Sequence, residues 1–473
     1  MEKKIVIIGA GPSGLGAAYR LTELGYKNWM IYEKNNYVGG LSASFVDAKG
    51  FTWDIGGHII FSHYKYFDKL IDKLLRGEYI EHSRKSWIRI KDKWIPYPFQ
   101  NNIKYLDKDQ ILECLIGLYE CSGRIYATKN SQCHSERSEE SLSFVGTEQC
   151  SVPTVCNFKE WIYSTFGSGI AKYFMIPYNE KIWATPLELL DKHWIAERVS
   201  VVDFKRVLEN VILDKDDVSW GPNSTFKFPL YGGTGGLFNK LLPIIKSNLK
   251  LECELSEIDI EKKTLKFKNG LEDNYEILVN TSPLNKLIYS IKNADSKLLE
   301  ASNELQYVGA YIVGIGIKEK CPSKKCWMYF PESNSPFYRV TYFSNYSPNN
   351  VPSGEYYSLM CETSYSEHKK IDKDSIIDET IQGLINTGMI NDKDRDKIVS
   401  TYFIDAPYAY PIPTIKRDNA LTVIQPCLEE KEIYSRGRFG AWKYEVGNMD
   451  HSVMQGVEII NRILLNENEK VLS

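Results

Sequence analysis

The feature that most constrains the fold of this chain is a glycine-rich turn close to its N-terminus. Residues 4–9 (KIVIIG) predict a short buried strand, and Gly9-Ala10-Gly11-Pro12-Ser13-Gly14 is a G-x-G-x-x-G turn. A helix is predicted from this turn to about Leu24, followed by a second strand at residues 29–33 (WMIYE). A strand, a helix and a strand so close together begin a parallel sheet, so the sequence predicts an α/β fold.

Each glycine of this turn has a predicted physical role. Gly9 permits the tight turn, Gly11 lets a pyrophosphate approach the backbone, and Gly14 allows the helix to pack closely on the strand. The helix N-terminus favours the negative charge of the phosphates. Glu33 ends the second strand 24 residues after Gly9, where a carboxylate can bind the ribose hydroxyls of an adenosine. The alternative is a glycine turn without a ligand, as in many α/β proteins.

Further glycines favour FAD over NAD as the dinucleotide. Gly39-Gly40-Leu41 begins six residues after Glu33, and Gly56-Gly57 precedes His58. FAD is long, so the backbone must approach it at several later points, and positions without a side chain make this possible. The pattern resembles the FAD superfamily of amine oxidases, protoporphyrinogen oxidases and nucleotide-sugar mutases. It therefore predicts the cofactor but not the reaction.

Composition and charge exclude several classes of protein. The net charge of −3, from 58 basic and 61 acidic residues, argues against a general nucleic-acid binder. No run approaches the roughly 18 apolar residues of a membrane span, and Gly9 interrupts the first apolar run too early for a signal peptide. The ten cysteines show no C-x-x-C spacing, which favours reduced thiols and no bound metal. We expect a cytoplasmic protein that binds neither membranes nor nucleic acids.

A chain of 473 residues predicts more than one packed unit. The predicted architecture is an FAD-binding Rossmann-like parallel-sheet domain with a helical domain and an antiparallel β-sheet domain. The predicted FAD-binding domain is discontinuous, with residues 1–80 completed by about 232–300 and 430–473. The predicted helical domain covers 103–215, and the predicted substrate domain combines 81–102, 216–231 and 301–429.

Periodicity predicts the main elements within these units. Strands are predicted in a hairpin at 84–98, over 250–283 with an Asn269-Gly270 turn, and over 307–345 and 355–363. Helices are predicted from Phe158 to Phe166, from Trp194 to Leu213 and from Val453 to Leu465.

One segment departs from these patterns. Residues 129–156 are polar, rich in serine and without periodicity, which predicts a surface loop or a disordered insertion. The alternative is a metal site formed by Cys133, His134, Cys150 and Cys156, but their spacing is irregular.

Sequence blocks along nearly the whole chain resemble the UDP-galactopyranose mutases, most closely the eukaryotic (fungal and protozoan) branch. The 129–156 segment is absent from that family pattern. The blocks occur in the family's order: 56–67 (GGHIIFSHYKYF), 95–102 (IPYPFQNN), 177–184 (PYNEKIWA), 220–228 (WGPNSTFKF), 232–236 (GGTGG), 326–330 (CWMYF), 337–348 (FYRVTYFSNYSP) and 436–452 (RGRFGAWKYEVGNMDHS).

The resemblance implies a flavin-dependent isomerase that interconverts UDP-galactopyranose and UDP-galactofuranose. In the family, N5 of the reduced flavin attacks the anomeric carbon, UDP leaves, and the flavin–sugar adduct opens as an iminium before it recloses. It further implies NAD(P)H as the reductant, contacted by Arg84 and Ser86, and a homo-oligomer, either a dimer or a tetramer. Alternatives are a mutase for another UDP-sugar, an amine-oxidase-like oxidoreductase, and a non-catalytic nucleotide-binding subunit.

The resemblance also assigns roles to individual residues. Arg198 and Arg339 are lone arginines in apolar or aromatic surroundings, a setting that suits either a structural salt bridge or a phosphate contact. The family pattern assigns both to the diphosphate of UDP. It makes His58, Arg198, Arg339 and Arg438 the candidate catalytic residues, whereas His63 is interpreted as structural.

The remaining candidates divide into substrate and cofactor contacts. The substrate set comprises Tyr97, Phe99, Gln100, Asn179 and Trp183 for the uridine, Tyr329, Tyr410 and Tyr444 with the two diphosphate arginines, and Asn223 and Arg438 beside the hexose. The cofactor set comprises Gly9, Gly11, Ser13, Gly14, Glu33, Gly40, Leu41, Gly56, Gly57, Leu255, Asn448, Met449 and Ser452.

Overall fold

The computed structural model describes residues 2–133, 157–195, 198–221 and 223–472. The strands are β1 (Ile5–Ile8), β2 (Trp29–Tyr32), β3 (Ser44–Val46), β4 (Thr52–Asp54), β5 (Tyr79–Ser83), β6 (Trp87–Ile90), β7 (Lys93–Pro96), β8 (Thr225–Pro229), β9 (Leu249–Lys250), β10 (Leu255–Asp259), β11 (Thr264–Phe267), β12 (Glu272–Asn274), β13 (Ile277–Asn280), β14 (Tyr307–Ile317), β15 (Trp327–Tyr329), β16 (Arg339–Tyr342), β17 (Tyr357–Tyr365), β18 (Ile398–Pro411) and β19 (Ile433–Ser435).

The helices are α1 (Pro12–Glu23), α2 (Lys65–Leu75), α3 (Lys108–Cys133), α4 (Phe158–Ile170), α5 (Ile176–Trp183), α6 (Phe204–Ile212), α7 (Gly233–Asn239), α8 (Leu242–Ile245), α9 (Leu284–Tyr289), α10 (Ser296–Asn303), α11 (Ile376–Asn386), α12 (Arg417–Glu429) and α13 (Met449–Leu465). Across the described ranges, no helix combines the length and apolar character that crossing a membrane requires.

The first strand lies at the centre of a five-stranded parallel sheet of order β19-β13-β1-β2-β9. Its four residues are all buried because both faces of the sheet are covered. Ile5 and Ile7 face a core formed with α1, α2 and α13. Val6 and Ile8 face a second core formed with α9, α10 and α12. The apolar run at the N-terminus is therefore a buried strand, as predicted, and it lies at the centre of the sheet.

Helices α1 and α13 pack against each other with almost no side chain between them. A Cβ atom on Gly16 would overlap the carbonyl oxygen of Val453, and one on Gly456 would overlap that of Ser13. Glycine at both positions thus allows the two backbones to approach closely. This contact places the N-terminus of α13 beside the N-terminus of α1, although the two lie at opposite ends of the sequence.

A seven-stranded sheet of order β18-β14-β17-β16-β15-β6-β7 forms a second layer. Its neighbours are antiparallel except for β15 and β6, which run parallel. Tyr329, Arg339, Glu362 and Ile312 are successive cross-strand partners on β15, β16, β17 and β14. Partners of this kind point to the same face of a sheet, so these four side chains form one row.

The helical layer lies between the hairpin of β6 and β7 and the surface. Phe158, Ile162 and Phe166 on α4 are buried in one core with Ile88 and Ile95 of the hairpin. A π-helical turn at Ala171–Met175 joins α4 to α5. This layer carries several of the predicted uridine residues.

Most of the predicted elements are confirmed, including the first strand, helix and strand, the hairpin within 84–98 and the strands of 250–283. Two boundaries were wrong. The helix predicted from Trp194 begins only at Phe204, because the Asp203 side chain caps it by accepting from the Arg206 amide at 3.0 Å. The last helix begins at Met449, four residues before the predicted start.

The serine-rich segment is only partly described. Residues 129–133 belong to α3, so the prediction of a loop was wrong for them. The rest of the segment, including His134, Cys150 and Cys156 of the alternative metal site, lies outside the described residues.

Substitution of Gly456 tests the packing of α1 on α13. In Gly456→Ala the added methyl group meets the Ser13 backbone, which cannot move without displacing the glycine-rich turn. We expect a loss of about 1–3 kcal/mol in the free energy of unfolding, together with a lower flavin content. Thermal unfolding and flavin absorbance measure both effects. Gly354→Ala is the matched control, because nothing lies within 4 Å of a Cβ there. Equal stability and flavin content in the two variants would contradict the packing argument.

Candidate active site

Two cavities meet at His58. The larger has a volume of about 460 Å³ and follows the glycine-rich turn and the first residues of α13. The smaller has a volume of about 260 Å³ and lies against the row of side chains on the seven-stranded sheet. The residues common to both are Leu41, Ile55, His58, Ala406, Arg438 and Met449. Ligands bound in the two cavities would therefore be neighbours at His58.

The larger cavity suits a dinucleotide. Gly11 and Gly40 both line it and lie against each other, so that a Cβ on Gly40 would come within 3.1 Å of the Gly11 Cα. The Ser13 hydroxyl is buried in the first turn of α1 and has no hydrogen-bond partner among the described residues. An unpaired donor at a helix N-terminus is the group that a pyrophosphate would satisfy. The residues present thus fit FAD.

Glu33 is fixed in place before any ligand binds. Its Oε2 accepts from the Ala10 amide at 2.7 Å, and its Oε1 accepts from the Asn35 amide at 2.9 Å. A carboxylate has further lone pairs to offer, and Glu33 lines the larger cavity. It can therefore accept hydrogen bonds from ribose hydroxyls, as the sequence predicts.

The structure separates the predicted cofactor residues into three groups. Gly14 lines neither cavity, because its Cα lies against the Gly9 carbonyl, which is the helix–strand packing expected of it. Gly56, Gly57 and Asn448 line the smaller cavity instead of the larger. The others line the larger cavity: Gly9, Gly11, Ser13, Glu33, Gly40, Leu41, Leu255, Met449 and Ser452.

The predicted substrate residues fall into two groups. Eight of them line the smaller cavity: Tyr97, Arg198, Asn223, Tyr329, Arg339, Tyr410, Arg438 and Tyr444. The other four, Phe99, Gln100, Asn179 and Trp183, are buried behind its wall. Trp183, for example, packs its ring against Tyr444 with centroids 5.0 Å apart, and the Gln100 amide donates to the Ser200 carbonyl at 2.7 Å. In this conformation they support the wall and do not face a ligand.

Arg339 makes a buried ion pair and also lines the cavity. Its Nε and Nη2 donate to the two carboxylate oxygens of Glu362, each at 2.6 Å. Glu362 also accepts from the Tyr338 hydroxyl at 2.9 Å and the Gly57 amide at 3.1 Å. Burial raises the pKa of Glu362, but the Arg339 charge outweighs it and holds this pKa below its ordinary value. Glu362 thus joins the predicted diphosphate arginine to the loop that carries His58.

Arg198 is held by neutral groups and has no carboxylate partner among the described residues. Its Nη1 donates to the Asn448 Oδ1 at 2.7 Å and its Nη2 to the Glu445 carbonyl at 2.5 Å. The guanidinium lies 5.5 Å from the centre of the Tyr444 ring. Its positive charge is therefore available to an anionic ligand.

Arg438 and His58 lie where the cavities meet. Arg438 donates from Nε to the Gly447 carbonyl at 2.8 Å and from Nη1 to the Ala409 carbonyl at 3.2 Å. Burial, together with the charge of Arg438, lowers the pKa of His58 to about 4. The His58 ring is neutral at pH 7, and Nδ1 lies 3.2 Å from the Gly56 carbonyl. With that carbonyl as its acceptor Nδ1 is the donor, which leaves Nε2 as an acceptor.

The residues predicted to contact NAD(P)H lie beside the smaller cavity. The Arg84 guanidinium lies 5.1 Å from the centre of the Tyr97 ring. It donates to the Asn223 Oδ1 at 2.6 Å and to the carbonyls of Val218 and Trp220. Arg84 thus holds the segment that carries Asn223. The Ser86 hydroxyl is buried and has no partner in the described part of the chain.

His63 joins the His58 loop to α13. Its Nδ1 and its backbone amide contact the Asp450 Oδ2 at 2.7 and 3.1 Å. Its ring stacks on that of His451, with centroids 4.8 Å apart, and His451 contacts the Tyr64 hydroxyl at 2.8 Å. The interpretation of His63 as structural agrees with these contacts.

Sequence reasoning missed several residues of the smaller cavity. Glu362, Tyr338, Thr341, Trp220, Tyr346 and Asp450 line it without having been predicted. A signal existed for Glu362, because it is the one acid in the strand predicted at 355–363 apart from Glu355 at its first position. Acids are almost never fully buried unless they are paired, so a basic partner on a neighbouring strand could have been expected.

Comparisons with known proteins identify the family and support the fold. A family model of flavin-containing amine oxidoreductases matches residues 12–456. A solved structure of reduced UDP-galactopyranose mutase is 42% identical, covers 100% of this chain and 96% of its own, and superposes with a TM-score of 0.90. The predicted fold class is confirmed by this likeness.

More distant proteins share the fold alone. A conjugated-linoleic-acid-producing fatty acid isomerase from P. acnes is 13% identical, with a TM-score of 0.64 over 98% of this chain and 99% of its own. Putrescine oxidase bound to putrescine is 14% identical, with the same TM-score and coverage. The 4,4'-diaponeurosporene oxygenase of Staphylococcus haemolyticus is 33% identical over 90 residues, 19% of this chain and 16% of the oxygenase. The match thus spans less than a fifth of that curated relative.

Glu362→Gln tests the buried ion pair. The substitution leaves Arg339 without its counter-charge, and breaking a buried pair in this way costs about 3–5 kcal/mol. Because the folded pKa of Glu362 lies below its ordinary value of 4.5, its contribution to stability is complete above that value and is lost as the pH falls through the folded pKa. We therefore expect the variant to be less stable at neutral pH and to lose less further stability on acidification.

Denaturant unfolding at several pH values between about 3 and 7, roughly the range in which acid denaturation occurs, measures this difference. Glu432→Gln is the control, since Glu432 pairs with Lys3 and Lys263 at the surface, where such pairs contribute about 0–1 kcal/mol. An unchanged pH dependence in Glu362→Gln would show that the ion pair does not stabilise the fold.

Proposed function

This chain belongs to the flavin-containing amine oxidoreductases and, within them, to the UDP-galactopyranose mutase family, and on that premise we propose that it interconverts UDP-galactopyranose and UDP-galactofuranose. Ser13, Glu33 and the glycine-rich turn would hold FAD in the larger cavity, and its reduced form would supply a nucleophilic nitrogen, N5, at the anomeric carbon as the bond to UDP breaks. The protein's own residues bind the nucleotide, orient the sugar and stabilise the leaving diphosphate.

The observation that carries the proposal is the chemistry of the smaller cavity. Three arginines line it against two carboxylates, and the phenols of Tyr329, Tyr410 and Tyr444 surround them. Guanidinium and hydroxyl groups are the donors that suit a diphosphate, whereas an amine substrate would be repelled by the excess positive charge. The cavity opens to the dinucleotide at His58, which is where a sugar must meet the flavin.

We propose that Arg198 and Arg339 bind the diphosphate as UDP departs and returns. Arg198 has its charge available, since its hydrogen bonds go to a carbonyl and an amide oxygen. Arg339 uses Nε and Nη2 for Glu362, so Nη1 is the nitrogen that can reach a phosphate oxygen. Donors that are already oriented lose little entropy when the leaving group develops its charge.

We further propose that Arg438 and His58 define the meeting point of sugar and flavin. Arg438 lies over the Tyr410 ring at 5.5 Å, and its hydrogen bonds to two backbone carbonyls fix its direction. A neutral His58 can accept a hydrogen bond through Nε2, from a sugar hydroxyl or from the flavin. NAD(P)H is the proposed reductant, because Arg84 lies against Tyr97 at the side of the substrate cavity.

An assay with UDP-galactofuranose tests the proposed reaction. We expect purified, dithionite-reduced protein to convert it to UDP-galactopyranose, which chromatography of the two nucleotides measures. Because a reduced flavin is required, fully oxidised protein in air should be inactive, and NAD(P)H should replace dithionite. Equal turnover by oxidised protein would contradict the mechanism, and failure with NAD(P)H alone would contradict only the proposed reductant. Turnover of another UDP-sugar in its place would assign a different substrate.

Alanine variants of the two arginines test the diphosphate contacts. Truncating one partner of a desolvated charge pair costs about 2–5 kcal/mol, so kcat/KM should fall by roughly 30- to 4,000-fold in Arg198→Ala and Arg339→Ala. Arg339→Ala should in addition be less stable, since it leaves Glu362 buried without a counter-charge. Arg339→Lys should recover part of both losses.

The measurements are UDP affinity, turnover and flavin absorbance. Flavin content should not change, because neither arginine lines the larger cavity. UDP affinity equal to that of the wild type in both alanine variants would place the diphosphate elsewhere.

A further inference from the structure

Arg198 lies between α5 and α6, outside the α-helices and strands of the described residues. Its backbone amide donates to the Ile195 carbonyl at 2.7 Å. Its guanidinium is fixed instead by three groups of one short segment, residues 444–448, which we call the 444–448 turn. These groups are the Tyr444 ring, the Glu445 carbonyl and the Asn448 side chain.

The same turn also holds Arg438. The Gly447 carbonyl accepts from the Arg438 Nε at 2.8 Å, and the Val446 carbonyl between the two arginine contacts accepts from the Gln455 amide at 2.8 Å. Two carbonyls of the turn, those of Glu445 and Gly447, thus orient two of the three arginines that line the smaller cavity. A displacement of the turn would move both.

The turn is anchored from outside the cavity by an ion pair. The Glu445 carboxylate accepts from Nη1 and Nη2 of Arg417 at 2.8 and 2.9 Å, a bidentate geometry. Arg417 is the first residue of α12 and is only 2% exposed, and its Nε donates to Asp418 at 2.9 Å. Arg417 lines neither cavity.

We infer that Arg417 is a positioning residue for UDP-sugar binding, which acts by holding Glu445 and thereby orienting Arg198 and Arg438. The inference rests on the proposed function for its substrate. Only Glu445 lies between Arg417 and Arg198, because its carboxylate pairs with Arg417 and its carbonyl accepts from Arg198. Rotation of Glu445 after loss of Arg417 would carry its carbonyl away from Arg198.

The test compares Arg417→Met, Arg417→Lys and Glu445→Gln in the holoenzyme. We expect Arg417→Met to weaken UDP binding and to lower kcat/KM by roughly 3- to 30-fold, with normal flavin content. Arg417→Lys should recover part of the loss through one retained hydrogen bond. In the Glu445→Gln background, Arg417→Met should cause little further loss, since the pair is already broken.

Glu469→Gln is the matched control. Glu469 also forms a bidentate pair with a buried arginine, Arg436, at 2.5 and 2.7 Å, but it lines neither cavity. We expect Glu469→Gln to lower the melting temperature by about as much as Arg417→Met does and to leave UDP affinity unchanged. A merely structural Arg417 would behave in the same way as Glu469, so equal UDP affinity in Arg417→Met and the wild type would overturn the inference.

A crystal structure of Arg417→Met separates this inference from the proposed function. We expect the hydrogen bond from Arg198 to the Glu445 carbonyl to be broken or displaced in the variant. An unchanged contact would refute the positioning role whatever the enzyme's substrate is. Failure of the proposed function would appear in the wild-type protein, as an absence of UDP binding and of UDP-sugar turnover.

Discussion

The close packing of α1 on α13 is the constraint on which the rest of the structure depends. Gly16 and Gly456 allow the two helices to meet backbone to backbone on the central strand β1. The contact brings the glycine-rich turn close to Met449 and Ser452, and these residues line the larger cavity together with the turn. Because α13 directly follows the 444–448 turn, it also fixes where Arg198 and Arg438 find their acceptors. The cofactor site and the substrate site are therefore consequences of one helix pair.

The smaller cavity is organised around charges that are satisfied to different degrees. Arg339 has an internal counter-ion, and its position on a central strand is further fixed by the ladders to β15 and β17. Arg198 and Arg438 donate only to neutral oxygens. Compensating Arg339 within the protein avoids the cost of burying three unpaired cations in one place. The two others keep the positive charge that an anionic nucleotide would neutralise.

Much of the fold could be predicted from the sequence, because local patterns determine it. The four apolar residues before Gly9 became the central strand, and the Asn269-Gly270 pair lies between β11 and β12, where Gly270 has a φ of +84°. The candidate site could be predicted less fully. Arg339 and Tyr329 were found, but Glu362 was not, since its role depends on a cross-strand pairing that one strand's sequence does not contain. Phe99 and Trp183 were predicted to contact the ligand, although they pack behind the wall of the smaller cavity. A sequence motif indicates which residues lie near a site but not which way their side chains point.

The three arginines also differ in what anchors them, and this difference has a mechanistic consequence. A strand-borne arginine such as Arg339 keeps its direction because hydrogen bonds on both sides of its strand oppose any rotation. Arg198 depends on a turn, and that turn depends on Arg417, a residue outside both cavities. A diphosphate that leaves the sugar and later returns to it requires hydrogen-bond donors that hold their positions while no covalent bond joins it to the sugar. If Arg198 and Arg339 bind the diphosphate as we propose, the ion pair between Arg417 and Glu445 would give Arg198 a rigidity that the sheet already gives to Arg339. Two unlike elements would then present matched donors to one diphosphate.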